Sequence, residues 1–277
     1  MGTRAQFGFA AAGRIGLVYS TVLLAMLGAE SRLVFPRGGP PRRPPGRHVL
    51  DVEEVKIPTP DGETLAGWFC RAPSSEQNRP AVLYFHGNGG DHTWRTGAAI
   101  RLRDHLGADV LLFSYRGYGT STGSPSETGL YADARAAWNY LVETRKIAPG
   151  RIVLFGESLG TGVATRLASE LPEYRALALQ AAYTSVPEAG QVQFPWLPVC
   201  RLCRNQFASA QCAAKIKRPV WMLHGTEDPV IPFAQGEALC AKVESPKRFM
   251  KRTGLHHEDV FDGQAARDLA QFLRENR

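Results

Sequence analysis

The stretch 152-IVLFGESLG-160 decides the fold, because a run of apolar residues ends in a serine flanked by glycines. Four consecutive apolar residues predict a buried strand, and the residues from 161 to 171 favour a helix. A G-x-S-x-G sequence between such a strand and a helix predicts a sharp turn that presents the serine hydroxyl above the sheet. Gly156 and Gly160 fit this turn, since side chains at their positions would collide. We therefore predict that Ser158 is a nucleophile.

Apolar runs alternate with helical patterns along most of the chain. The predicted strands are 53–58, 64–70, 81–85, 110–113, 152–155, 176–179, 220–223 and 248–251. The predicted helices are 94–105, 130–144, 158–171, 233–242 and 264–274. This alternation predicts an α/β protein with a mostly parallel central sheet and helices on both faces. In such sheets the functional residues lie in loops at the carboxyl ends of the strands.

An acid and a base follow the last two predicted strands. A serine needs a base to take its proton and a carboxylate to hold that base. Asp228 lies four residues past strand 220–223, and Glu227 is the alternative acid. After the last strand come His256 and His257, of which we prefer His257 as the base. The candidates follow one another along the chain in the order serine, acid, histidine.

Two backbone N–H groups are expected to stabilise the negative charge that acyl transfer places on a carbonyl oxygen. One is the amide of Leu159, which follows the nucleophile. The other should come from the loop 86-HGNGG-90 after strand 81–85, and we assign it to the backbone of Asn88. No metal ion and no cofactor are expected for this chemistry.

The positive charge of the chain is concentrated near its N-terminus. The net charge is +7, and residues 1–50 account for +6 of it, with seven arginines against Glu30. The rest of the chain is nearly neutral, which argues against nucleic acid as a partner. A basic segment beside an apolar one favours a membrane with anionic lipids instead.

Residues 15–29 (IGLVYSTVLLAMLGA) are uncharged and fit three interpretations: an uncleaved membrane anchor, which we favour, a cleaved signal, or a buried helix. A cleavage site is poorly defined, since Leu27 stands where a small residue is preferred. Two arginines precede or interrupt the apolar segment and five follow it. The larger number of arginines after the apolar segment favours a cytoplasmic domain. Arginines ahead of the apolar segment are also typical of a signal peptide, so the sequence does not decide on which side of the membrane the domain lies.

The chain divides into three predicted regions: an N-terminal hydrophobic anchor or signal segment (1–32), a Pro/Arg-rich tether (33–50) and a catalytic domain (51–277). Proline prevents a helix or central strand in the tether. Residues 186–217 form a predicted short lid. Its apolar stretch 194-FPWLPV-199 would either cover an acyl chain or pack the lid onto the domain.

Other cysteines and histidines receive no catalytic role. The cysteines Cys200, Cys203 and Cys212 lack the second CxxC of a zinc ribbon, so we interpret them, with Cys70 and Cys240, as buried or incidental thiols. The remaining histidines without a motif are predicted to lie at the surface. They are His48, His92 and His105.

Five motifs together resemble those of the α/β-hydrolase-domain serine hydrolases, in particular an N-terminally anchored group with a small lid. They are 86-HGNG-89, 114-SYRGYG-119, 156-GESLG-160, 224-HGTED-228 and 257-HED-259. The resemblance runs from about residue 33 to the C-terminus, and the group includes bacterial esterase-like proteins and eukaryotic protein depalmitoylases. It implies the α/β-hydrolase fold, and it supports His257 because the family has Gly-His-Asn-Asp there. The chain departs from the family at His256, where glycine is usual, and at Ser114, where aspartate is frequent.

The resemblance implies a membrane-associated serine hydrolase that cleaves small or lipid-like carboxylic esters or acyl thioesters. Ser158, Asp228 and His257 would act as the catalytic triad through an acyl-enzyme. Fold and triad do not fix the leaving group, so a serine peptidase and a lysophospholipase are alternatives. A binding module tethered to the membrane without catalytic activity is the alternative from a different class.

Overall fold

A computed structural model describes residues 2–46, 48–73 and 79–276, with the side chains of residues 2–13, 15 and 16 left out of the description. Met1 of the predicted N-terminal segment, Arg47 of the predicted tether, and residues 74–78 and Arg277 of the predicted domain lie outside the described residues.

Eight strands form one sheet in the order β1-β2-β4-β3-β5-β6-β7-β8. Their bounds are β1 Asp51–Pro58, β2 Thr64–Arg71, β3 Ala81–Phe85, β4 Asp109–Phe113, β5 Ile152–Glu157, β6 Ala176–Gln180, β7 Val220–Gly225 and β8 Lys247–Arg252. β2 pairs antiparallel with both β1 and β4, and every other pair is parallel. The predicted eight strands and mostly parallel sheet are confirmed.

Helices cover both faces of this sheet. The described helices are α1 Gly2–Val34, α2 Thr96–Leu106, α3 Glu127–Asn139, α4 Leu159–Glu170, α5 Val186–Gln193, α6 Val199–Leu202, α7 Ser209–Ala213, α8 Phe233–Lys242 and α9 Gly263–Glu275. Side chains alternate along β3, so Leu83 and Phe85 join a core with residues of α3 and α4. Val82 and Tyr84 join a second core on the opposite face with residues of α2 and α9.

The helices predicted from apolar periodicity at 94–105 and 130–144 begin at other residues in the structure. The Asp91 side chain accepts a hydrogen bond from the Thr93 N–H and starts a 3-10 turn, so α2 itself begins at Thr96. In α3 the Ser126 hydroxyl accepts from the Gly129 N–H, which places the helix start at Glu127. Side-chain caps of this kind set helix ends more sharply than apolar periodicity does.

The predicted surface position of His92 is wrong. Its side chain is buried, with its ring edge-on to Trp68 at 5.2 Å and its Nδ1 2.6 Å from the Ser114 hydroxyl. Burial lowers the pKa of His92 to about 4. The histidine is therefore neutral at physiological pH. His48 is exposed and His105 is half-buried.

Helix α1 is long and apolar enough to cross a membrane by length and composition. Its window Leu17–Val34 has a mean hydropathy of 1.4 and is 11% buried. Large apolar side chains such as Leu17, Val18 and Leu24 are exposed on it. The chain after the helix runs without regular structure, but it is held where Phe35 packs edge-on against Phe207 with ring centroids 6.1 Å apart.

Candidate active site

Ser158 lies at the tip of the turn between β5 and α4. Its φ of 50° and ψ of −119° are a rare conformation for a residue with a side chain. The turn is tight: a Cβ on Gly160 would come within 2.1 Å of the Phe85 carbonyl oxygen, and one on Gly156 within 2.7 Å of the Gly160 carbonyl oxygen. The glycines around Ser158 are thus required by close backbone approach, as the sequence predicts for a nucleophile turn.

Asp228 lies in the loop after β7 and its carboxylate is fully occupied. One oxygen, Oδ1, accepts from the backbone N–H groups of Val230 and Ile231, each at 2.8 Å. The other, Oδ2, lies 2.7 Å from Nδ1 of His257. Burial alone would raise the pKa of Asp228, but its hydrogen bonds with His224 and His257 outweigh burial and hold the pKa below its usual value. The structure therefore presents an ionised carboxylate to His257.

The two alternatives that the sequence left open have different surroundings. His256 is exposed, and its Nδ1 lies 2.8 Å from the backbone oxygen of Glu227. The Glu227 side chain is itself exposed. By contrast, the Asp228 side chain is buried and the His257 ring is half-buried beside it. This geometry favours Asp228 and His257 as the interacting acid and base.

His224 is a second histidine at the same carboxylate, and the sequence analysis gave it no role although it begins the motif 224-HGTED-228. Its ring is fully buried, with Nε2 2.9 Å from the Ile231 carbonyl oxygen and 3.4 Å from Oδ2 of Asp228. Because a carbonyl oxygen only accepts, Nε2 of His224 donates to Ile231, and the same N–H lies toward the Asp228 carboxylate. His224 thus helps to hold the acid. The sequence feature that could have indicated this role is its position at the end of a buried strand, directly before Gly225.

The loop after β3 approaches the serine from the other side. Asn88 and Leu159, the two predicted N–H donors, line the same cavity as Ser158. Beneath the loop, His86 is buried with its Nδ1 2.6 Å from the Gly87 carbonyl oxygen. Burial, with the positive charge of Arg95, lowers the pKa of His86 to about 3. A neutral imidazole therefore supports this loop at physiological pH.

An ion pair connects the serine turn to this loop and was missed by the sequence analysis. Glu157, the residue before Ser158, accepts two hydrogen bonds from the Arg95 guanidinium at 2.7 and 3.0 Å. Tyr84 donates to the same carboxylate at 2.6 Å. The third contact of Arg95 is to the carbonyl oxygen of Gly89, at 2.8 Å. Nothing local in the sequence indicates this pairing, since position 157 tolerates any residue in the G-x-S-x-G pattern.

A cavity of about 280 Å³ opens above Ser158. Residues 186–217, the predicted lid, contain α5, α6 and α7 and form part of its wall. Of the apolar stretch in the lid, Phe194, Leu197 and Val199 line the cavity, whereas Trp196 is 56% exposed. The cavity is small for a ligand pocket, which typically measures about 300–1,000 Å³.

The other wall of the cavity comes from helix α1, which the sequence analysis considered as an anchor or signal. Its contributing residues are Leu23, Met26, Leu27, Glu30, Leu33 and Val34. Among the described residues that line the cavity, Glu30 is the only charged one. Its Oε1 accepts from the backbone N–H groups of Arg204 at 2.7 Å and Asn205 at 2.9 Å.

The cysteines are free thiols with different exposure, from buried Cys70 to exposed Cys200. Cys203 donates to Glu30 at 3.3 Å. Across the part of the chain that the structure describes, no group of three or more His, Cys, Asp or Glu side chains is arranged to hold a metal ion.

Comparison with known proteins identifies the family to which this fold belongs. Residues 80–199 match the alpha/beta hydrolase fold family. The chain is 34% identical to protein bem46 of Schizosaccharomyces pombe over 251 residues, which is 87% of this chain and 83% of bem46. It is 33% identical to human alpha/beta hydrolase domain-containing protein 17B over 223 residues, 80% of this chain and 75% of that protein. The chain therefore belongs to the α/β-hydrolase family.

Two further similarities concern a bacterial relative and a solved structure. An uncharacterised protein of Mycobacterium tuberculosis is 40% identical over 266 residues, covering 94% of this chain and 93% of the relative. Among solved structures, an esterase of Pyrococcus furiosus superimposes with a TM-score of 0.69 at 19% identity, covering 87% of this chain and 97% of the esterase. The likeness to the esterase is one of fold. Together, family and fold support hydrolase activity.

Proposed function

We propose that the protein is a serine hydrolase that cleaves carboxylic esters or acyl thioesters, with Ser158 as nucleophile, His257 as base and Asp228 as the acid that holds His257. The contact of 2.7 Å between Asp228 Oδ2 and His257 Nδ1, at the strand ends where the Ser158 turn also lies, carries this proposal. The acid fixes the imidazole with its proton on Nδ1, which leaves Nε2 free to accept a proton from the serine.

The proposed reaction has two steps. The Ser158 oxygen attacks the carbonyl carbon while His257 takes the hydroxyl proton, and the N–H groups of Leu159 and Asn88 stabilise the oxyanion. Collapse breaks the bond to the alcohol or thiol, which leaves with the proton from His257, and an acyl-enzyme remains. Water then attacks the acyl carbon as His257 takes its proton, and the acid is released as the serine regains a proton.

The test is hydrolysis of p-nitrophenyl esters from acetate to palmitate by the full chain, beside Ser158→Ala and His257→Ala. We expect both variants to lose activity by about 10³-fold or more, since members of a triad act as a unit. His256→Ala is the matched control and should keep activity within about threefold. Equal losses in His256→Ala and His257→Ala would contradict the assignment of the base. If the wild-type protein cleaves none of these esters but is labelled by a fluorophosphonate, a peptidase is favoured. If it cleaves none of them and is not labelled, a binding module is favoured.

Membrane association through α1 is part of the proposal. The exposed apolar residues of this helix and its apolar window support it. We expect the protein to sediment with membranes and to resist extraction by alkaline carbonate. The intact mass of the purified protein distinguishes an anchor, which is retained, from a signal, which is removed.

A further inference from the structure

We propose that helix α1 forms the second wall of the acyl pocket, so that Leu23, Met26 and Leu27 set the length of the acyl chain that the enzyme accepts. This inference rests on the proposed serine hydrolase function. It gives the N-terminal helix a part in substrate selection in addition to any part in anchoring.

The spacing of the lining residues supports a docked helix face. Leu23, Met26, Leu27 and Glu30 follow one another at intervals of three, one and three residues, which places them on one side of a helix. All four are half-buried. Leu24, one residue from Leu23, points away and is 69% exposed. One face of α1 therefore lines the cavity while another is free to meet lipid.

Glu30 gives this face a fixed position against the lid. Besides the two backbone N–H groups, its Oε1 accepts from the side-chain Nδ2 of Asn205 at 2.9 Å. Arg204 and Asn205, which carry these N–H groups, follow α6 in the lid. All three N–H groups donate charge-assisted hydrogen bonds to the same carboxylate oxygen. One turn further on, the ring of Phe35 packs against Phe207 just past the lid residues that bind Glu30. Two separate contacts thus hold the end of α1 in register with the lid.

A carboxylate on the apolar surface of a helix does not help that helix to anchor in a membrane. A charged side chain within a membrane span is costly, and such residues are usually paired or functional. Here the charge lies in the apolar window Leu17–Val34 but faces protein N–H donors. The chemistry of Glu30 is therefore that of a docking residue that completes a cavity lined by both Ser158 and α1.

The test measures the rate at which alkyl fluorophosphonates with chains of 4, 8 and 16 carbons label the serine of the full chain in detergent. In Leu27→Trp the added bulk should lower the rate with the 16-carbon probe about tenfold relative to the 4-carbon probe, or about 1.4 kcal/mol. The matched control is Leu24→Trp, which adds the same bulk to the exposed face and should change the ratio less than twofold. Equal ratios in the two variants, with both melting like wild type, would overturn the proposal.

Substitutions of Glu30 test the docking contact separately. Glu30→Ala should lower the ratio of long-chain to short-chain labelling about fivefold because the helix no longer holds the wall in place. Glu30→Gln keeps an oxygen that accepts the same N–H groups and should retain most of the wild-type ratio. A Glu30→Ala enzyme with the wild-type ratio would contradict the docking role.

Two controls separate the possible causes of failure. Wild type that no probe labels would refute the proposed function and this inference with it, whereas normal labelling by the 4-carbon probe with unchanged ratios refutes the inference alone. If Leu27→Trp does not fold, Met26→Phe makes the same prediction with a smaller change in volume.

Discussion

Arg95 and Glu157 form a two-contact ion pair directly behind the candidate nucleophile, with the Glu157 side chain 18% and the Arg95 side chain 14% exposed. Because Arg95 also donates to the carbonyl oxygen of Gly89, the pair ties the serine turn to the loop that contains Asn88. Burial opposes ionisation of Glu157, but the charge of Arg95 and its hydrogen bonds outweigh burial and lower the pKa of the carboxyl.

We expect Arg95→Lys to reduce kcat by about tenfold or more with little change in KM. Lysine keeps the charge, but its single nitrogen cannot span the two Glu157 oxygens and the Gly89 oxygen as the guanidinium does, so the loop would lose its fixed distance from the serine. Removing one oxyanion donor outright typically reduces kcat about 10²–10³-fold, which is an upper limit for this indirect effect. Steady-state kinetics on a short-chain ester give both constants.

The control for this change is Arg135→Lys. Arg135 pairs with Glu170 at 2.8 Å on the surface, with side chains 38% and 39% exposed, and such pairs contribute little. If Arg95→Lys is no more damaging than Arg135→Lys, Arg95 does not position the loop.

Asp228→Asn should reduce kcat on the order of 10³- to 10⁴-fold while the protein remains folded. An amide can donate toward His257 and favour the wrong tautomer, which removes the acceptor that the serine needs. Glu227→Gln, one residue earlier and exposed, should leave kcat unchanged within about twofold. Should Glu227→Gln lose the larger share of activity, the acid is Glu227 and the present assignment is wrong.

Gly160→Ala should lower the free energy of unfolding by about 1–3 kcal/mol or prevent folding, because its Cβ would lie 2.1 Å from the Phe85 carbonyl oxygen. The control is Gly97→Ala in α2, where the nearest atom to a Cβ is 3.5 Å away on the flexible Arg101 side chain. Alanine there should be neutral or stabilise by about 0.5–1 kcal/mol. Urea denaturation measures both, and equal effects would contradict the close packing at Gly160.

Stability should fall as the pH is lowered from 7 to 5. The pKa values of His86 and His92 in the folded protein are about 3 and about 4, below the value of about 6.5 for an unfolded chain. In this interval the unfolded state therefore binds more protons, and each histidine contributes a slope of up to about 1.4 kcal/mol per pH unit.

His92→Asn tests this expectation because it removes one of the two buried histidines that bind a proton only when the protein unfolds. Urea denaturation at pH 7, 6 and 5 should show a shallower dependence than wild type, whereas exposed His48→Asn should reproduce the wild-type slope. Identical slopes for all three proteins would mean that His92 is not the buried neutral group described above.

The sequence predicted the fold and the places of Ser158, Asp228 and His257 because each follows a strand of a parallel sheet, and all such strand ends meet at one edge. Groups that act through long-range packing were not predictable. Arg95 and Glu157 are 62 residues apart, and Glu30 is 175 residues from Asn205. His92 was misplaced for the same reason, since nothing in its local pattern shows that Trp68 covers it.

The side chain of Leu27 bears on both the cavity and the processing of the N-terminal segment. It lines the cavity, and it also lies two residues before Ala29, at a position where a signal peptidase needs a small residue. Exchange for alanine would therefore widen the pocket and create a processing site in a single step. Cleavage at that site would leave Glu30 as the first residue and remove the part of the wall formed by Leu23, Met26 and Leu27, so maturation would change what the enzyme selects as well as where it resides.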